Sequence, residues 1–230
     1  MHMVRNINSL IGYSVKATDG TIGIVDDFYF DDETWTIRYL IVKTGHASSA
    51  RKMLMTPGAL VKNGITPDVF SVNLTMDQIL KSPDIDTDKP VSRQREAIIN
   101  QHHHWENYWG SDSYAGEAGF GNFLPIDIEP DDKDRDEDIH LRSIDQVCVY
   151  AIYALDGEIG HVSDFMIDDK TWRLLKLVVD THDWIGGKKV LIGLSHIQSI
   201  SFIDKQVYLN LTTAAINDSH LFEEAEHNEH

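Results

Sequence analysis

Short runs of β-prone residues, broken by glycine, aspartate and other turn formers, set the pattern of this chain. "ATDGTIGIVDDFYF" (17–30) places the turn dipeptide Asp19-Gly20 ahead of a strand, and "TIRYLIVKT" (36–44) follows as a second strand rich in β-branched and aromatic residues. Further strands are expected at 52–56 and 69–74, with counterparts at 189–193 and 206–211. Alternation fails between Ile22, Val25 and Phe28, which predicts a bulge or bend near Gly23. Four to six short strands in roughly 70 residues favour a small closed barrel, because closure removes exposed edges.

The pattern occurs twice. "DDETW" at 31–35 returns as "DDKTW" at 168–172, an offset of 137, and that offset overlays 4–75 on 141–212 without a gap, with 23 identities in 72 positions. The identities include Arg5/Arg142, Ile7/Ile144, Asp19-Gly20/Asp156-Gly157, Gly23/Gly160, Asp27-Phe28/Asp164-Phe165, Lys52/Lys189 and Leu54/Leu191. The expected fold class is therefore all-β: two tandem small barrels related by approximate twofold symmetry, with a partly helical connector. The expected boundaries are a first barrel over 1–76, a connector over 77–140, a second barrel over 141–213 and an acidic helical or disordered tail over 214–230.

Apolar residues occupy both faces of "TIRYLIVKT": Ile37, Tyr39 and Ile41 on one, Leu40 and Val42 on the other. A barrel strand needs one apolar face, so the second must be covered, either by the other copy or by another chain. After Leu74, Thr75 and Gln78 make a capping box that predicts a short helix, whereas "TTAAIND" after Leu211 lacks the Glu or Gln. In the connector, Ser92 caps a plausible helix, and "DIEPDDKDRDED" carries eight acidic and two basic residues.

A net charge of −17 repels phosphate backbones, so no nucleic-acid partner is expected. The single cysteine, Cys148, makes an intramolecular disulfide impossible and reads as a buried strand thiol within "VCVYAIYAL". No apolar stretch approaches the ~20 residues of a membrane helix, and "MHMVRNINSL" lacks the apolar core of a secretion signal, so a cytoplasmic location is expected.

The repeated pattern of Asp-Gly, glycine, Val-x-Asp, an Asp-Asp turn, a β-rich strand and a basic residue before an apolar run resembles the PRC-barrel family. The residues concerned are Asp19-Gly20, Gly23, Val25, Asp27, Lys52, Leu54 and Pro57, then Asp156-Gly157, Gly160, Val162, Asp164, Lys189 and Leu191. The second copy departs from the first at Val149, opposite Gly12, and at Leu194, opposite Pro57. The resemblance implies a small β-barrel that works by touching other proteins. In the photosynthetic reaction-centre H subunit such a domain caps a membrane complex, and in the ribosome-maturation factor RimM it docks on a ribosomal protein.

Asp31-Asp32 and Asp168-Asp169 are the metal candidates. Asp-Asp-x-Thr-Trp also suits a tight reversal in which aspartates bond nearby backbone N–H groups, with Trp35 and Trp172 folded over the barrel end. Adjacent strand residues point to opposite faces, which works against a shared ion. His102, His103 and His104 fan out on a helix; only His102 and Glu106 share a face, and two ligands are not a site. The aromatics Trp105, Tyr108, Trp109, Phe120 and Phe123 either clamp the connector or form a partner surface.

No motif assembles a nucleophile, base and stabiliser. The expectation is a non-enzymatic protein–protein interaction, adaptor or structural module with no cofactor, a protein partner, no transmembrane segment, and possible homo-oligomers through barrel faces. The alternatives are a divalent-cation or small-ligand binder using the Asp-rich hairpins, and a membrane-associated accessory of photosynthetic-type electron transport.

Overall fold

The computed structural model describes residues 3–45, 51–81, 141–181 and 188–217. The first half runs β1 (Val4–Asn6), a 3-10 turn (Ile7–Leu10), β2 (Ser14–Ala17), β3 (Gly20–Asp31), β4 (Thr36–Thr44) and β5 (Arg51–Met55). It continues with a 3-10 turn (Pro57–Ala59), β6 (Leu60–Thr66), β7 (Val69–Val72) and α1 (Met76–Leu80). The second half runs β8 (Leu141–Ser143), α2 (Ile144–Val147), β9 (Ala151–Ala154), β10 (Gly157–Asp168), β11 (Arg173–Asp180) and β12 (Lys189–Gly193). A 3-10 turn (Leu194–His196), β13 (Ile197–Ser201), β14 (Gln206–Leu209) and α3 (Thr213–Asn217) complete it. The fold is mostly β.

Among the described residues, fourteen strands join one curled sheet. In the first half the order is β6-β7-β2-β3-β4, with β5 also on β4; in the second it is β13-β14-β9-β10-β11, with β12 on β11. The β2–β7 and β9–β14 pairs are parallel; β2–β3, β3–β4, β9–β10 and β10–β11 are antiparallel. The expectation of closed barrels needs correction in one respect. Among the described residues no ladder joins β5 to β6 or β12 to β13; a 3-10 turn bridges each gap. Backbone bonds then tie these turns to the residues just past β7 and β14, Asn73 N–H to Ala59 O and Asn210 N–H to His196 O, both 2.9 Å.

The bend expected near Gly23 is present. Pairing shifts from Val15–Gly23 to Lys16–Thr21 leave Ile22 as the extra residue, and the same shift occurs between Glu158 and Gly160. The bend brings β3 hard against β4 and β10 against β11. A Cβ at Gly23 would overlap the Lys43 carbonyl oxygen, and one at Gly160 would overlap that of Asp180. Gly160 also sits at φ +138, where an L side chain is strained. Gly160→Ala is therefore expected to cost well over ~1 kcal/mol, read as a lower denaturant midpoint at unchanged slope.

One hydrophobic core spans both halves, from Val15, Phe28 and Phe70 through Phe30 and Phe165 to Ile152 and Val207. Phe30 and Phe165 meet across it with centroids 5.5 Å apart. The second apolar face of β4 is covered as well: Tyr39 and Ile41 pack with Tyr29, Leu54 and Leu141 in a separate buried cluster. Leu141 belongs to the second half, so that half supplies part of the cover. The capping box at α1 forms as read, with Thr75 Oγ1 accepting from Gln78 N and the Gln78 side chain accepting from Thr75 N at 2.8 Å.

Candidate functional site

The polar residues that recur between the halves meet at the junction of the halves. There the first strand of each half pairs with the long strand of the other: β1 with β10 (Val4–Asp168, Arg5–Ile167, Asn6–Met166) and β8 with β3 (Leu141–Asp31, Arg142–Phe30, Ser143–Tyr29). A single β4–β11 pair, Thr36–Arg173, lies between them. It is flanked by Ile37 N–H to Trp172 O and Leu174 N–H to Trp35 O, each 2.8 Å.

The two acidic corners divide their work between adjacent carboxylates. Asp31 and Asp168 are buried and cap their own turns. Asp31 Oδ1 accepts from the N–H groups of Glu33 (3.0 Å) and Thr34 (2.8 Å), and Asp168 Oδ1 from those of Lys170 (2.9 Å) and Thr171 (3.2 Å). Asp32 and Asp169, the first turn residues beyond β3 and β10, reach the opposite half instead. Arg142 Nε meets Asp32 Oδ2 at 2.7 Å, and Arg5 Nε meets Asp169 Oδ2 at 3.0 Å. Among the described residues no group of three or more His, Cys, Asp or Glu side chains is placed to hold a metal ion.

Each turn ends on a tryptophan in the left-handed region, Trp35 at φ 53 and Trp172 at φ 57. Trp35 stacks on Phe30 of its own half, centroids 5.8 Å apart. Trp172 crosses over: it is buried against Phe28 and Phe70 of the first half, each at 6.1 Å. The expectation that both rings cover their own barrel ends is thus corrected for Trp172, which fills the neighbouring core.

A pair of buried carboxylates missed as site residues lies deeper in the junction. Asp27 on β3 accepts from Ser143 Oγ (2.5 Å) and from Asp145 N–H (3.0 Å), both in the second half, and from its own Phe28 N–H (2.7 Å). Asp164 on β10 accepts from Asn8 N–H of the first half (3.2 Å) and from Phe165 N–H (2.7 Å). Each therefore holds the helical turn that opens the other half. Burial pushes both carboxyls up to about 6, against the lowering effect of these hydrogen bonds. The available signal was an aspartate repeated inside an otherwise apolar strand.

Cys148 sits beside them, and its placement corrects the strand reading: it is the C-cap of α2, half-buried, with Asn8 Nδ2 3.7 Å from its sulfur. The Ser143 cap made this segment helical; Ser143 Oγ accepts from Gln146 N–H at 3.0 Å. Burial, with the charges of Asp164, Asp27 and Asp145 adding to it, pushes the thiol up to about 12, so it carries no thiolate near neutrality.

The second half also exposes apolar side chains that the first half does not match. Val149, Leu155, Phe202 and Ile203 are 72%, 66%, 48% and 91% exposed, where the offset of 137 places Gly12, Thr18, Ile65 and Thr66. The aromatic candidates Trp105, Tyr108, Trp109, Phe120 and Phe123 lie outside the described residues, as do His102 and the Ser92 helix. Among the described residues no helix is long and apolar enough to cross a membrane.

A family model for the PRC-barrel domain matches residues 141–216, the stretch from β8 through α3 that carries Asp164, Asp168, Asp169 and Trp172. No curated protein matches the chain. Residues 141–216, which carry that strand order and the second of the repeated turns, thus match a PRC-barrel domain.

Proposed function

We propose that the chain is a non-catalytic tandem PRC-barrel protein that acts as an interaction module for a protein partner. In this reading the first barrel occupies 1–76, the connector 77–140, the second barrel 141–213 and the tail 214–230, with the barrels related by approximate twofold symmetry. The observation that carries the docking role is the exposed apolar set Val149, Leu155, Phe202 and Ile203. Such side chains cost solvation when free and give a partner its burial energy. The recurring polar residues support the same reading from the other side: Asp27, Asp31, Asp32 and their counterparts have partners inside the scaffold. Those six carboxylates are thus engaged within the scaffold, and the exposed apolar side chains are what a partner would bury.

The test compares captured proteins across three forms of the chain: intact, Phe202→Asp/Ile203→Asp, and a deletion of 101–124, which removes the connector aromatics. Both substituted sites are exposed, so thermal stability should change by no more than ~0.5 kcal/mol. A partner that docks on the second barrel should be recovered at least about tenfold less with the double substitution. A partner held by the connector should be lost only with the deletion. Recovery of the same proteins, in the same amounts, with all three forms would overturn the docking role.

A further inference from the structure

The contacts between the halves obey an exchange rule. Adding 137 to one side of each contact and subtracting it from the other converts Val4–Asp168 into Leu141–Asp31 and Asn6–Met166 into Ser143–Tyr29. The same operation converts the ion pair Arg5–Asp169 into Arg142–Asp32, and the bond Ile37 N–H to Trp172 O into Leu174 N–H to Trp35 O. It also converts Asn8 N–H to Asp164 into Asp145 N–H to Asp27. A junction in which i meets j and j meets i is self-complementary, as in isologous dimers.

Nothing in these contacts requires the two halves to come from the same chain. Sixty residues separate Leu80, the end of α1, from Leu141, the start of β8. At up to ~3.5 Å per residue, a segment of that many residues has the contour length to join halves that sit in different copies. The first strand of each half is the exchanged element, since it pairs with the other half's long strand.

We propose that a second copy of this chain is a partner for the same junction. The first half of one copy takes the second half of the other, with β1 on β10 and β8 on β3 across copies, so a dimer contains two junctions identical to the one within the monomer. The proposal rests on the contacts alone and is independent of the docking role. Closure within one chain is favoured at low concentration, because the connector holds the halves at an effective concentration of about millimolar or below, which falls with connector length. Exchange therefore grows when the protein is refolded at high concentration.

Charge exchange tests this on the full-length chain. D32R/D169R sets arginine against arginine at both ion pairs, and R5D/R142D sets aspartate against aspartate. Within one chain, or in a dimer of either variant alone, both pairs repel. In an exchanged dimer of one variant with the other, all four pairs become attractive. The two variants, carrying different affinity tags, are refolded separately and mixed at high concentration, and dimers are measured by light scattering and double-tag capture. The mixture should yield heterodimer at least about tenfold above the dimer formed by either variant alone. A mixture that stays monomeric, or dimers formed equally by the separate variants, would overturn the proposal. If neither variant folds even when mixed, two differently tagged wild-type preparations decide: their co-refolding must give doubly tagged dimer that rises with concentration, and monomer throughout overturns the proposal.

Discussion

Trp172→Ala is expected to destabilise the protein by about 3–5 kcal/mol, the range for deleting a buried aromatic side chain, while Trp35→Ala costs distinctly less. The two residues occupy corresponding positions in the repeat, share a left-handed backbone and close the same kind of turn, so strain and turn formation cancel in the comparison. The difference is what each ring touches. Trp172 leaves its own half and is buried between Phe28 and Phe70 of the first, so its loss opens a cavity in one core and removes a tie between the halves. Trp35 is half-buried and stacks on Phe30 within its own half. For a chain of this length the loss corresponds to a fall in melting temperature of roughly 10 °C. Urea titrations of both variants check it. Equal losses would mean that the crossing of Trp172 contributes nothing beyond its turn.

Much of the local structure was legible in the sequence. The Asp-Gly turns, the bend at Gly23, the Asp31 turn and the Thr75–Gln78 cap are local, and local signals depend on a few neighbouring residues. β1 and β8 were missed because three residues carry no period, and their partners sit in the other half. β6 was missed because it runs through Lys62-Asn63-Gly64, a stretch of turn composition. Asp31 and Asp32 show where a local rule helps and where it stops. The turn pattern marks Asp31 as the cap, but only the fold reveals that Arg142 stands where Asp32 points. Asp27 and Asp164 were visible as part of a repeated motif, yet burial of a carboxylate runs against its usual preference and needed the structure to show it.

Those two carboxylates give the protein a stability that should rise as the pH falls from 7 toward 4. Each carboxyl binds its proton at about 6 in the folded state, against an ordinary value of 3.8 once burial is lost on unfolding. Between those values the folded state holds more protons than the unfolded one, so stability decreases with increasing pH. The gain is complete below about 3.8 and is lost as the pH passes upward through about 6. At ~1.4 kcal/mol per pH unit, a difference of this size is worth about 3 kcal/mol for each group. Desolvation is the cause in both, because the hydrogen bonds from Ser143, Asp145, Phe28, Asn8 and Phe165 favour the charged form without outweighing it. Lowering the pH also relieves the general repulsion of a chain with net charge −17, so the specific contribution must be isolated. Asp27→Asn and Asp164→Asn do this, since the amide oxygen keeps accepting the backbone N–H groups while the titration is removed. Each substitution should remove about half of the extra slope between pH 4 and 6, and the double variant should leave only the smooth effect of net charge. Urea midpoints at half-unit pH steps measure it. A wild-type profile that rises with pH over this window, or asparagine variants that leave the slope unchanged, would show that the junction does not hold these carboxyls in a desolvated state.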